Sequence, residues 1–274
     1  MLVDLHLHTQ ESDGSLSVLE LLKLAYKNNV RVLSITDHES TNGVTEAVRI
    51  CQDYGIKVIP GVELLTSYKG HEVHLLGYFG TIQNEILQKR LKELRELRTA
   101  LAYDMVKCLQ KDGLSLKWSE VELEANSEAA VSKGHIMKAL YNNSKLERNS
   151  WPKVASLFQP GGVAYLPFLE HPFEEAVEFI YATGGIPVLA HPGLIREDEI
   201  VEELLSYRPI GLEVYYGYWE NRESMTSHYE KLAKTKALLG TGGSDYHGPY
   251  SQVQIGQVSV PLEQLNQLEE FLKG

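Results

Sequence analysis

A repeated alternation of short apolar runs with amphipathic helical stretches constrains this chain more than any other feature of its sequence. Val3 to His8 alternates apolar with polar residues and reads as a strand. The turn-like segment at 11–14, ESDG, leads into a helix whose start carries Ser17 and Glu20 at capping-box spacing, with Leu16 in the staple position. Residues 30–36, VRVLSIT, read as a buried strand ending at Asp37-His38. The pattern then returns as a helix over 43–54 and strands over 57–63 and 72–79. Such strand–helix repetition predicts a mainly parallel sheet or a barrel.

From about Asn84 the rhythm breaks. Residues 85–112 form a long amphipathic helix with Leu87, Leu91, Leu94, Leu101, Met105 and Cys108 near one stripe. Lys89, Arg90, Lys92, Arg95 and Arg98 read as a solvated face, with approach to a substrate as the alternative. Further helical pieces at 118–124, 134–142 and 150–158 make residues 84–162 a largely helical insertion or cap between two barrel segments, 1–83 and 163–274. The rhythm resumes after Pro167, with strands expected at IPVLAH, IGLEVYY and ALLGTGG and a last helix over 261–272.

A net charge of −11 disfavours broad adsorption to nucleic acid or anionic membrane, although divalent ions in an acidic pocket would reverse the field locally. No apolar stretch is long enough to span a bilayer, and Met1 leads into LVDLHLH without a signal-peptide pattern, so a cytoplasmic location is the default expectation. Cys51 and Cys108 are too few for a thiolate cluster and read as small buried hydrophobes.

The chemistry-bearing residues sit at or near the ends of the expected strands. His6 and His8 are two apart, so a strand points both imidazoles to one face. His38, His74, His191 and His247 lie at or near other strands, with Asp13, Glu63 and Asp245 in comparable positions. In α/β barrels, groups so placed meet at the carboxyl ends of the strands. Each motif alone has a bland reading: HxH as two surface histidines, Gly242-Gly243 as a strand terminator. Together they fit a site for borderline first-row metals. Asp37 reads as an acceptor that orients an imidazole, or as an added metal contact. Tyr216, Tyr218 and Trp219 could stack on a base or simply cover the core. His71, His171 and His228 rank lower, as polar or packing residues.

In order along the chain, HLH at 6–8, SDG at 12–14, TDH at 36–38, GVE at 61–63, HLLGY at 74–78, AHP at 190–192 and GGSDYHG at 242–248 resemble the polymerase and histidinol phosphatase (PHP) family. The resemblance implies a distorted (β/α)7 barrel with a trinuclear metal site. One metal would use His6, His8, Glu63 and Asp245; Glu63 would bridge to a second bound by His74 and His191; a third would use Asp13, His38 and His247. Two or three divalent ions are implied, three by the family pattern, drawn from manganese, iron and zinc. The implied reaction is hydrolysis of a phosphomonoester by a metal-bridging hydroxide. Within the family the chain resembles the branch acting on nucleoside monophosphates, nucleoside 3′,5′-bisphosphates and short 5′-phosphorylated oligonucleotides. Lys133 and His135, in SKGH where relatives have a GRPH-like motif, and Arg196 are the expected phosphate contacts. Glu39 stands where an aspartate is common. The partner expected is a small phosphorylated substrate, with no membrane and no obligate protein partner. The competing expectations are a phosphatase for histidinol phosphate or another small molecule, and a metal-stabilised interaction domain without turnover.

Overall fold

In the computed structural model, which describes residues 1–126, 129–142, 151–218, 220–249 and 251–273, the opening run forms strand β1 (Leu2–Leu7). It pairs in parallel with β2 (Val30–Ile35), which pairs in parallel with the short β3 (Lys57–Val58). Helix α1 (Val18–Lys27) makes the crossover, and its capping box is formed as the sequence predicts, Ser17 and Glu20 each satisfying the other's backbone N–H. Its buried face of Val18, Leu21, Leu22 and Ala25 packs with Val44 and Ala47 of α2 (Asn42–Ile50). The expected strand over 57–63 is broken at Pro60, which cannot donate to a ladder, and resumes as β4 (Gly61–Tyr68).

The sheet is less parallel than the sequence rhythm predicts. Lys69 and Gly70, at φ 48° and 84°, form a two-residue loop between β4 and β5 (His71–Phe79). A link that short permits only a hairpin, so β4 and β5 are antiparallel. β5 also runs antiparallel to β6 (Gly185–Leu189), while β6, β7 (Gly211–Tyr216) and β8 (Gly240–Gly243) are mutually parallel. Two seams join the sheets. The Asp245 N–H donates to the His6 carbonyl and the His8 N–H to the Tyr246 carbonyl on one side; the Glu39 N–H donates to the Glu63 carbonyl on the other. With β3 and β4 counted as one broken stave, seven staves close a distorted barrel. Val3, Leu5, Val32, Leu76, Tyr78 and Val188 belong to one of its buried clusters, and the Tyr78 hydroxyl donates to the Leu5 carbonyl at 2.9 Å.

Between Phe79 and Gly185 the described residues contain helices but no strand. The first four are α3 (Glu85–Lys111), α4 (Trp118–Glu122), α5 (Lys133–Asn142) and α6 (Trp151–Ser156). Asn84 caps α3 by accepting from the N–H groups of Ile86 and Leu87. The early part of α3 contributes Leu87, Leu91 and Leu94 to a cluster shared with the barrel. Its later part contributes Met105, Val106 and Leu109 to a second cluster with Ile136 and Leu140 of α5. The buried stripe runs 87, 91, 94, 98, 102, 105, 109, so it includes Arg98 and Ala102 while Leu101 and Cys108 are only half-buried. Helices α7 (Phe173–Ala182), α8 (Asp198–Tyr207), α9 (Arg222–Lys236) and α10 (Leu262–Phe271) complete the fold. No described helix is long and apolar enough to cross a membrane.

Candidate metal centre

The barrel brings the nine expected ligands to one end. His6 and His8 arrive on β1 and the turn after it, Asp13 on the following loop, His38 beyond β2 and Glu63 on β4. His191 follows β6, and Asp245 and His247 follow β8. β5 runs the opposite way, so His74 near its start stands at the same end as the carboxyl ends of its neighbours. Gly243 lets β8 approach β1: a side chain there would collide with the backbone and Cβ of His6. His191 and Asp245 have left-handed backbones, at φ 26° and 52°, conformations that cost a non-glycine residue about 1–3 kcal/mol and persist where the surroundings enforce them.

Both carboxylate oxygens of the buried Glu63 face imidazoles. Oε2 lies 3.3, 3.2 and 3.3 Å from His6 Nε2, His8 Nε2 and His38 Nδ1. Oε1 lies 2.9 Å from His74 Nδ1 and 3.1 Å from His191 Nε2. Asp245 Oδ1 stands 3.3 and 3.1 Å from the Nε2 atoms of His6 and His8, and Asp13 Oδ1 is 3.3 Å from His247 Nε2. Three groups have ligand atoms within 4.8 Å of one another: His6, His8, Glu63 and Asp245; His8, Asp13, His38 and His247; and His38, Glu63 and His74. His38 therefore belongs to two groups, and His191 joins the third side through Glu63 Oε1. The donors fit metal ions by a further test. His6 Nε2, His8 Nε2, Asp13 Oδ1, His38 Nδ1 and Asp245 Oδ1 are all buried without a hydrogen-bond partner, although such atoms in folded proteins are nearly always satisfied.

The electrostatics match a site that trades protons for metal. Burial alone would lower His6, but the Glu213, Asp245 and Glu63 carboxylates outweigh it and hold this imidazole well above its usual range. The same opposition puts His8 at about 10 and His74 at about 9. Burial would raise Asp13, Glu63 and Asp245, yet the surrounding histidines hold all three well below the carboxylate range. His38 goes the other way: burial, with the Arg98 cation, keeps it well below the usual imidazole value.

A layer of buried partners aims these ligands. Glu213 Oε1 sits 2.9 Å from His6 Nδ1, and its Oε2 accepts from the His191 N–H at 2.7 Å. The Tyr216 hydroxyl donates to Asp245 Oδ2 at 2.8 Å. Asp4 Oδ1 accepts from the Ser244 N–H at 2.9 Å beneath the β8–β1 seam. Sequence reading passed over Glu213 and Asp4, although an acid within an apolar strand, as in GLEVYY and LVDLHL, must find partners if that strand is buried. Asp37 was expected to orient an imidazole; its oxygens instead accept from the Thr9 N–H and hydroxyl and from the Ser12 hydroxyl, at 2.7, 2.6 and 2.6 Å. It reaches His8 only through Ser12, whose Oγ is 3.5 Å from His8 Nδ1. Arg98, expected on a solvated face, is buried and ion-paired with the equally buried Glu39.

The expected phosphate contacts are dispersed. Lys133 Nζ pairs with Glu72 at 2.7 Å, and Glu72 is also 3.4 Å from His74 Nε2. His135 is buried, with Nδ1 accepting from the Ser132 N–H at 3.0 Å, while the Ser132 hydroxyl donates to Asp13 Oδ2 at 2.9 Å. Arg196 is exposed at φ 62° and has no ion-pair partner among the described residues. Tyr216 and Tyr218 are buried in the core cluster, and Trp219 lies outside the described residues. His71 stands 3.9 Å from Glu197, His171 is buried, and His228 is exposed 4.0 Å from Asp198. A cavity of about 1050 Å³, lined by residues including Ser12, Gly14, Lys138 and Tyr141, adjoins the Asp13 loop, but none of the nine ligands lines it.

A closed barrel with overlapping imidazole–carboxylate groups at its strand ends has the architecture of a metal-dependent hydrolase. The family model for the PHP domain matches residues 4–164, more than half of the chain, and the chain belongs to that family of metal-dependent phosphoesterases. It is 28% identical over 262 residues to a 5′-3′ exoribonuclease of Haemophilus influenzae, covering 93% of each chain. It is 28% identical to the phosphoribosyl 1,2-cyclic phosphate 1,2-diphosphodiesterase of Eggerthella lenta, over 95% of this chain and 100% of that one. It is also 28% identical to the 3′,5′-nucleoside bisphosphate phosphatase of Chromobacterium violaceum, over 90% and 87% of the two chains. Among solved structures, an amidohydrolase from Chromobacterium violaceum with bound sulfate and no metal superposes with a TM-score of 0.86 at 26% identity, covering 99% of this chain and 97% of that one.

Proposed function

We propose that this protein removes phosphate from nucleotides, acting on nucleoside monophosphates or 3′,5′-bisphosphates and on short 5′-phosphorylated oligonucleotides. The observation that carries the reading is Glu63, whose two oxygens each face a separate set of imidazoles, as a carboxylate bridging two metals would. His6, His8 and Asp245 would complete one position, His74 and His191 a second, and Asp13, His38 and His247 a third, with His8 near the third as well. Nitrogen-rich sites of this kind suit manganese, iron or zinc. Bound ions would supply Lewis acidity and a water of lowered pKa. The protein's own part is to keep the ligands correctly turned, through Glu213 under His6 and Tyr216 against Asp245. Residues 84–162 would act as a helical cap, since Ser132, just before α5, bonds Asp13, and Lys133 at the start of α5 pairs with Glu72 beside His74. Arg196, exposed and without an ion-pair partner among the described residues, would be the cation that meets a second phosphate.

The relatives support nucleotide-like substrates but divide over the bond cleaved, since an exoribonuclease and a cyclic phosphodiesterase cut diesters. The test is phosphate release and product mapping with Mn²⁺-reconstituted protein on AMP, adenosine 3′,5′-bisphosphate, short 5′-phosphorylated RNA, a ribose cyclic phosphate and histidinol phosphate. Preferential turnover of the nucleotides supports the assignment. Turnover confined to histidinol phosphate or to the cyclic diester overturns it, and no turnover of any ester favours a metal-stabilised domain without catalysis.

A further inference from the structure

Arg98 and Glu39 pose a question that the nine ligands do not answer. A buried arginine–glutamate pair gains little stability over apolar residues of the same volume, yet this one lies where α3 passes from the barrel cluster to the insertion cluster. Glu39 follows His38 directly and has a left-handed backbone at φ 48°. Every polar group of Glu39 is engaged. Its N–H donates to the Glu63 carbonyl at 3.0 Å, and its carbonyl accepts from Arg95 Nη1 at 2.6 Å. Oε1 accepts from the Leu65 N–H at 2.6 Å, and Oε2 accepts from Arg98. One residue thus ties the backbone beside His38 to the strand carrying Glu63 at two points, the Glu63 carbonyl and the Leu65 N–H, and two arginines of α3 hold that residue in place.

We infer that Arg98 and Arg95 form a clamp from α3 on Glu39 that sets the relative position of His38 and Glu63, so that metal loading depends on these two arginine contacts of the insertion's first helix. Both arginines are positioning residues, since neither touches the ligand atoms in the hydrogen bonds described. The longer reach of glutamate than of aspartate at position 39 lets one side chain hold the Leu65 N–H and the Arg98 guanidinium together. The inference rests on the reading of the nine residues as metal ligands but not on the identity of the substrate.

The experiment measures Mn²⁺ affinity and bound equivalents for the full chain stripped of metal, together with the thermal midpoint of the metal-free protein. Arg98→Met is expected to weaken Mn²⁺ binding by about 10- to 100-fold, the range found when partners behind metal ligands are removed. Arg98→Lys, which keeps the charge but loses the planar fork, is expected to fall between Arg98→Met and the parent. Leu87→Ala in the same helix is a packing control: it should lower the thermal midpoint while leaving Mn²⁺ affinity within twofold of the parent. Should Arg98→Met not fold, Arg95→Ala and Arg98→Lys carry the comparison. Arginine variants that bind Mn²⁺ like the parent, or a Leu87→Ala variant that loses metal equally, would overturn the clamp while leaving the metal centre standing. A parent protein that binds no Mn²⁺, Fe²⁺ or Zn²⁺ would overturn the metal reading itself.

Discussion

At the scale of single residues, the site separates into candidate ligands that the sequence announces and buried supports that it conceals. His6 and His8 were legible because strand periodicity places i and i+2 on one face, and the other seven because each falls at or near an apolar run. Glu213 was not singled out, since one carboxylate in an apolar strand has no motif; only its contact with His6 reveals its use. Glu213→Gln should turn His6 Nδ1 toward a weaker partner and reduce metal affinity about 10-fold or more, as read by metal titration with the fold monitored by circular dichroism. His171 yields a pH prediction. Burial lowers its pKa to about 4 from an ordinary 6.5, with Nδ1 donating to the Leu65 carbonyl at 3.0 Å. The unfolded chain therefore takes up a proton below about 6.5 that the folded chain refuses until about 4, so stability falls as pH drops through that window. The full effect is about 3 kcal/mol. Urea unfolding at pH 6.5 and 4.5 should show a smaller loss for His171→Gln than for the parent; equal losses would remove this histidine from the acid response.

At the scale of elements, patterns foretold most helices and strands but not how strands pair or helices dock. The β4–β5 hairpin was hidden because KVIPGVE and EVHLLGYF were read as separate strands, and the two-residue link at Lys69-Gly70 that reverses the chain was passed over. The α3 stripe was read through Leu101 and Cys108, whereas the buried positions pass through Arg98; the seven-residue spacing from Leu91 to Arg98 was the available signal. Helix α5 shows how docking depends on a small residue. At Gly134 an added Cβ would lie 2.6 Å from Asp13 Oδ2. Gly134→Ala should push α5 off the Asp13 loop, at an overpacking cost of about 1–3 kcal/mol, and lower metal affinity on the Asp13, His38 and His247 side. Thermal unfolding and metal titration of this variant would check both; a variant with the parent's values would mean that the contact gives way without consequence.

At the scale of the whole molecule, the acidic chain encloses a centre whose charge depends on what it holds. Without metal, the carboxylates keep His8 and His74 protonated, at about 10 and 9, so binding near neutral pH must expel protons. Metal affinity should therefore rise with pH, and calorimetry in buffers of different ionisation enthalpy should detect proton release; buffer-independent heats would contradict this electrostatic picture. The barrel class and the gathering of ligands were readable from order and spacing along the chain. The sharing of His38 and His8 between groups was not, because it depends on how closely β1, β2 and β8 approach at the seams. The most direct test of the account is a count of Mn²⁺ equivalents retained by metal-stripped, reconstituted protein, in the parent and in Glu63→Gln. The account predicts that the parent holds more than one equivalent and that the variant loses at least one. A parent that holds none or only one, or a Glu63→Gln variant with an unchanged count, would contradict a metal centre bridged by Glu63.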